Sequence, residues 1–291
     1  MTQAGEIGIQ QGIVFGTGGG RDLLCDIYTP PGAANAPAVL LLYGGGWRMG
    51  ERSRMRDHGI ALARRGFVAV ASDYRLTPES PWPAQIHDVK AAIRWMRASA
   101  SELRLDPARI ALEGHSAGAH LALLAAGTNG LTTFEGNGGS PGVATDVAAV
   151  VAVYPPVRFH MGTERVSGST PANALMGESA TSEAARAAGP IEYVSPSFPP
   201  TLLLHGSADK VVPPTATLRM YDALSRAGAP VEMKMYANLP HGFARLPSML
   251  GLVQDEIANF LDRHIVDPGR IQREVDQLME EMAATRAAAA R

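Results

Sequence analysis

A single cysteine, Cys25, stands in 291 residues. That excludes an intrachain disulfide and a thiolate cage for zinc, and it leaves Cys25 to be read as a small core residue rather than a reactive thiol. Long apolar runs are missing as well: the richest stretch, AAVVAVYPP, is short and stops at prolines, far from the roughly 18 apolar residues of a membrane span. The opening MTQAGEIGIQQGIVFG has neither a basic flank nor a long apolar run, so no secretory signal is expected and a cytoplasmic location is. Positive charge is not in excess: 26 Lys plus Arg against 28 Asp plus Glu give a net charge of -2, with no basic stripe to hold phosphate backbones, so nucleic acid is not an expected partner. What remains is 46% hydrophobic and 19% charged, a balance that builds a large core and not a disordered chain.

Short runs rich in Val, Ile and Leu alternate with helix-period segments, the βα rhythm of a mainly parallel sheet covered on both faces. Strands are expected at 9–15, 23–28, 38–43, 68–72, 110–113, 147–154, 201–205 and 231–236, the first two forming an antiparallel hairpin across GTGGGRD. Helices are expected at 53–65, 84–103, 117–126, 215–227 and 249–265. The stretch 128–145, rich in Gly, Thr and Asn, reads as a surface loop. Residues 155–200 follow a strand that should reach the C-terminal edge of the sheet, and they read as a small lid insertion with one helix near 181–188. One domain over 1–265 is expected, followed by a helical extension over 266–291. In that tail Ile271, Val275, Leu278 and Met282 recur at spacings of 4, 3 and 4. Two heptads are too short for a free coiled coil, so this stripe must dock on the body of the chain or on a second copy.

The sharpest chemical signal is Gly114-His115-Ser116-Ala117-Gly118, placed between the strand RIALE and the helix AHLALLAAG. A strand that turns abruptly into a helix holds the residue at the bend in a strained conformation and presents it at the strand tip. A serine hydroxyl there is a weak nucleophile until a histidine takes its proton, and that histidine needs a carboxylate to fix its tautomer. In the chain order Ser, acid, His, the partners are Asp209, in the loop after TLLLH, and His241, in the loop after VEMKMY. Other histidines lack that pairing, His205 reads as a support of the Asp209 loop, Asp73 reads as holding Tyr74 and Arg75, and Asp88 and Glu113 read as structural. Directly after the strand AVLLL comes Tyr43-Gly44-Gly45-Gly46-Trp47, a loop whose Gly44 or Gly45 N–H can join that of Ala117 around an oxyanion. No Lys-Ser/Thr follows, which argues against a phosphate loop. Trp47, Trp82, Phe243 and His115 are candidate walls of a substrate pocket.

With these residues the chain resembles the carboxylesterases related to hormone-sensitive lipase and the acetyl esterases, and more closely bacterial esterases of the feruloyl and acetyl-xylan type. The resemblance runs from about Tyr28 to Ile265 and includes Ser72-Asp73-Tyr74-Arg75-Leu76-Thr77-Pro78-Glu79, the segment Pro83 to Lys90, and His205-Gly206-Ser207-Ala208-Asp209. It implies the α/β-hydrolase fold, a Ser116–Asp209–His241 triad, oxyanion donors at Gly44, Gly45 and Ala117, small ester substrates, and neither metal nor other cofactor. Transfer of the acyl group to an alcohol, opening of a lactone, or a silent ligand-binding homologue are the competing outcomes. One departure stands out. The family's glycine loop normally begins with histidine, and Tyr43 in its place either donates its phenol to the oxyanion or only fills the space.

Overall fold

The βα rhythm is realised in a computed structural model that describes residues 5–159, 171–177 and 181–289. Its strands are β1 (Gly8–Gly18), β2 (Arg21–Thr29), β3 (Ala36–Leu42), β4 (Val68–Ser72), β5 (Leu105–His115), β6 (Ala149–Val153), β7 (Thr201–Gly206) and β8 (Val231–Tyr236). Among the described residues they form one sheet in the order β1-β2-β4-β3-β5-β6-β7-β8. β1 pairs with β2, and β2 with β4, antiparallel; every later pairing is parallel. The helices are α1 (Arg56–Ala63), α2 (Ala84–Ala98), α3 (Ala117–Gly127), α4 (Thr132–Glu135), α5 (Pro171–Met176), α6 (Ser182–Ala187), α7 (Thr215–Ala227), α8 (Pro247–Leu261) and α9 (Arg270–Ala289).

Strand burial explains the composition of the runs. β6 is buried along its whole length, as are β3 from Ala38 to Leu42 and β4 up to its closing Ser72, so both faces favour apolar residues and the sequence reads as short apolar runs. The outermost strand β1 is mostly exposed and carries polar positions. α3, apolar on every side, is buried from Ala117 to Ala125 against β5 and β6. α7 has one apolar face, Met220 and Leu224 inward, and stops at Gly228, whose φ of 77° is the left-handed cap that glycine adopts without strain. Cys25 is fully buried, and burial pushes its thiol up to about 12, which keeps it protonated and inert as a core residue.

Two regions differ from expectation. The 128–145 stretch is no free surface loop: Thr128, Phe134 and Thr145 are buried, and Glu135 on α4 pairs with Lys90 (2.6 Å) and Arg94 (3.0 Å) of α2. A lysine with no exposed side-chain surface must be compensated, and the Glu135 carboxylate with the Thr128 carbonyl does this, pinning the loop to α2. The second difference is α9. Every residue from Ile271 to Arg286 is exposed, including Ile271, Val275, Leu278 and Met282, so the stripe does not dock on the body. At its root, ion pairs of Arg270 with Asp262 and Arg273 with Asp267 and a backbone hydrogen bond from Arg270 N–H to the Asp267 carbonyl tie the helix to the chain before it. Of the expected lid, α5, α6 and a 3₁₀ turn at Pro190–Tyr193 are described, with Thr181 capping α6 through its hydroxyl. The remaining lid residues, 160–170 and 178–180, lie outside the described residues.

Candidate active site

Strand order brings the candidate residues together. β5 lies between β3 and β6, with Leu42 opposite Gly114, so the chain leaving β3 as the glycine loop runs beside the chain leaving β5 as the serine turn. β7 and β8 end on the same edge, where their loops are bonded together: Ala208 N–H donates to the Leu239 carbonyl (3.1 Å) and Asn238 N–H to the Ser207 hydroxyl (2.8 Å).

Ser116 sits at φ 52° and ψ -115°, outside the regions open to an ordinary L-residue, between the end of β5 and the first turn of α3. Its N–H donates to the Val153 carbonyl (2.9 Å), and its carbonyl accepts from His120 N–H (3.0 Å), so neighbouring elements hold the strain. The flanking glycines are forced by packing. A Cβ on Gly118 would lie 2.2 Å from the Leu42 carbonyl oxygen, and one on Gly114 would lie 2.3 Å from the Gly118 carbonyl oxygen.

From Ser116 a hydrogen-bonded relay runs outward. The Ser116 hydroxyl lies 3.0 Å from His241 Nε2, and His241 Nδ1 lies 2.7 Å from Asp209 Oδ2. Asp209 is fixed on both oxygens: Oδ1 accepts from the N–H groups of Val211 (2.8 Å) and Val212 (2.9 Å), and Oδ2 also stands 3.1 Å from His205 Nε2. Burial alone would raise the Asp209 carboxyl, but the hydrogen bonds from His205 and His241 outweigh it and hold the group well below the usual carboxylate range. An anion there accepts from His241 Nδ1–H, which leaves the Nε2 lone pair facing the serine. His205 is tied in turn to the Thr217 hydroxyl (2.6 Å) and the Val212 carbonyl (3.0 Å), and it braces the Asp209 loop.

The glycine loop closes the other side. The N–H groups of Gly44 and Gly45 donate to no acceptor among the described residues, and that of Ala117 opens α3, where no intrahelical partner exists. A Cβ on Gly44 would come within 3.1 Å of the Ser116 Cβ, so only a glycine lets these N–H groups approach the serine so closely. A cavity of about 290 Å³ opens here, lined by Gly44, Gly45, Ser116 and His241 among others.

Comparison with known proteins gives a family and a fold. The BD-FAE family model matches residues 25–224. The chain belongs to the BD-FAE family. Esterase LipQ of Mycobacterium tuberculosis is 31% identical over 262 residues, a match covering 84% of this chain and 60% of LipQ, so the chain spans less than two thirds of that relative's length. Among solved structures, a truncated carbohydrate esterase from gut microbiota superposes with a TM-score of 0.77 at 28% identity, covering 87% of this chain and 96% of that one. Est2 of Thermogutta terrifontis with propionate bound gives 0.74 at 27% identity, covering 92% and 95%. The α/β-hydrolase fold is common to them.

In this BD-FAE chain several candidate residues take other places. The Tyr43 hydroxyl donates to the Tyr74 carbonyl (3.3 Å), Tyr74 returns the bond to the Tyr43 carbonyl (2.9 Å), and the rings stack at 4.4 Å. The phenol proton is thus already spent, and burial pushes its dissociation still higher. Tyr43 fills space at the cavity wall. Trp47, Trp82 and Phe243 do not line the cavity. Trp47 is buried, its indole N–H donating to His120 Nδ1 (3.2 Å); Trp82 packs on His120 and Phe134; Phe243 is fully buried between Tyr154 and Tyr236. Their apolar area serves the core. Asp73 does not hold Tyr74 or Arg75 with its carboxylate, which instead accepts from Arg52 (2.6 and 2.8 Å); Arg75 belongs to Asp88.

His115 does line the cavity, as part of a buried network that sequence reading missed. Glu113 Oε1 accepts from His115 Nε2 (2.8 Å) and from Gln254 Nε2 (3.0 Å), and lies 3.2 Å from His58 Nδ1. Burial would raise the Glu113 carboxyl, yet the hydrogen bonds from His115 and His58 bring it down to about 2, while burial holds His115 neutral at about 4. With its Nε2 proton given to Glu113, His115 accepts from the Tyr154 hydroxyl at Nδ1 (3.1 Å), and the Tyr154 ring lies 4.5 Å from that of His241. Glu113 is thus linked to the base through His115 and the packed ring of Tyr154. His58, Glu113 and His115 also form the one metal-ligand cluster found among the described residues. Their spacings are those of direct hydrogen bonds between the donors themselves, with the carboxylate oxygen shared among three partners.

Proposed function

We propose that the chain is a serine carboxylic ester hydrolase. Ser116 attacks the ester carbonyl as its proton passes to His241 Nε2, Asp209 stabilises the resulting imidazolium, and the N–H groups of Gly44, Gly45 and Ala117 hold the oxyanion. The imidazolium returns its proton to the departing alcohol, leaving an acyl-Ser116 that water, deprotonated by His241, then hydrolyses. No step calls on a cofactor. The observation that carries this reading is the unbroken relay Asp209–His241–Ser116, at 2.7 and 3.0 Å, ending on a serine strained at a strand-to-helix turn. The esterase names of the relatives support it. A cavity of about 290 Å³ favours short acyl groups.

The test is an ester panel of increasing acyl length, run on the wild type and Ser116→Ala, with a fluorophosphonate label on both. Hydrolysis and labelling should both vanish in the variant. Retained hydrolysis in Ser116→Ala would sink the mechanism.

We also propose that α9 pairs with α9 of a second copy. Its exposed apolar stripe lacks a partner among the described residues, and Glu281 and Arg286 flank it five residues apart, the spacing at which parallel helices exchange ion pairs. A stripe this short gives a concentration-dependent dimer.

A further inference from the structure

The cavity beside Ser116 carries a charge pattern that ester hydrolysis itself does not require. Two guanidinium-bearing residues line it: Arg54, on the turn Arg52–Met55 that follows the glycine loop, and Arg245, four residues past His241. No Asp or Glu lines it among the described residues. Elsewhere the arginines near the sheet are neutralised: Arg52 by Asp26 and Asp73, Arg75 by Asp88, Arg94 by Glu135. Arg54 instead spends one N–H on the Gly44 carbonyl (3.2 Å), a bond that holds the guanidinium against the glycine loop without cancelling its charge. The Arg245 guanidinium has neither hydrogen bond nor ion pair among the described residues, the residue's own N–H donating to the Gly242 carbonyl (3.1 Å).

The buried carboxylates Asp209 and Glu113 do not serve these arginines, and the exposed Glu51 carboxylate takes the Ser53 hydroxyl and forms no ion pair with Arg54. Asp209 is committed to His241, His205, Val211 and Val212, and Glu113 shares its Oε1 among His58, His115 and Gln254, with both residues buried behind the cavity wall. The cavity therefore joins a nucleophile to two cations that form no ion pair among the described residues. Both side chains are exposed, and a guanidinium offers paired N–H donors that match a carboxylate in a charge-assisted bond stronger than a neutral one.

Resting on the ester-hydrolase reading, we propose that Arg54 and Arg245 form an anion subsite and that the preferred substrates are short esters bearing a free carboxylate: a monoester of a dicarboxylic acid or an acylated hydroxy acid. The bound carboxylate fixes the ester carbonyl against Ser116, so its interaction energy is expressed in kcat/KM.

Two matched pairs test this. Monomethyl glutarate is compared with methyl valerate, and 4-acetoxybenzoate with its methyl ester, by kcat/KM at low ionic strength. In at least one pair the anionic ester should be favoured by roughly tenfold. That ratio should fall at least fivefold in Arg54→Gln and in Arg245→Gln, and also in about 0.5 M salt, where exposed charges are screened. Arg226→Gln, on the outer surface of α7 and paired with Asp222, should leave it unchanged. Ratios at or below one in both pairs, or a ratio that neither cavity substitution moves, overturn the anion subsite while the ester-hydrolase reading stands. Failure to hydrolyse any of the four esters removes that reading and the subsite with it.

Discussion

Replacing Asp209 by Asn changes one atom and one charge, and the structure says which way the amide must turn. Asp209 Oδ1 accepts from two backbone N–H groups, Val211 and Val212, at 2.8 and 2.9 Å. An NH₂ placed there would face two donors, so the amide oxygen takes that side and its NH₂ faces His241 Nδ1 and His205 Nε2. His241 can then only accept at Nδ1, which puts its proton on Nε2, pointing at Ser116 with no lone pair to receive the hydroxyl hydrogen. The same wrong-tautomer change costs about 10⁴ in kcat in a serine protease, or roughly 5.5 kcal/mol of barrier, and the two-fold anchoring of Asp209 leaves no easier arrangement here. The assay is kcat on a short-acyl ester with purified Asp209→Asn, alongside the rate of fluorophosphonate labelling and a thermal melt. A loss of three to four orders of magnitude is expected in both rates, with folding retained. A variant within about tenfold of the wild type would refute the tautomer argument and remove Asp209 from the relay.

Tyr43→Phe should keep kcat within a factor of about three, because the phenol proton is already given to the Tyr74 carbonyl; a loss near a hundredfold would show that it swings to the oxyanion. Glu113, brought from 4.5 to about 2, contributes stability that is complete above about pH 4.5 and is lost as pH falls through about 2, on the order of 3 kcal/mol in all. Thermal melts between pH 5 and pH 2 should therefore be flatter for Glu113→Gln than for the wild type, and parallel curves would deny the buried anion its role. Leu278→Glu, in the middle of the exposed α9 stripe, should abolish any dimer seen by light scattering and leave ester turnover intact; a wild type that stays monomeric at high concentration would count against helix pairing.

What could be read from the sequence and what could not divides along the range of the interactions. The serine turn was legible because its cause is local: Gly114 and Gly118 are demanded by contacts within a few residues or with the adjacent strand end, and the strand–turn–helix pattern is written in consecutive letters. Asp209 and His241 were legible because each follows a strand by a few residues, and parallel strands deliver their loops to one edge whatever the strand order. The buried runs of β3, β4 and β6 were legible for a similar reason, since burial on both faces leaves almost unbroken apolar letters, Ser72 at the end of β4 aside. Tyr43, Trp47, Trp82 and Phe243 were not, because an aromatic ring beside a motif fills core and pocket equally well. Only the partner decides, and the partners are distant: Tyr74 lies 31 residues from Tyr43, and His120 lies 73 from Trp47. The 128–145 loop failed in the same way, its polar composition concealing that Thr128 and Glu135, 38 and 45 residues from Lys90, compensate that buried lysine. Arg54 and Arg245 carry no sequence signal at all. What sets them apart is that they line the cavity of Ser116 without an ion pair among the described residues, and that becomes visible only when the fold has placed Arg52 with Asp26 and Asp73, Arg75 with Asp88 and Asp209 with His241.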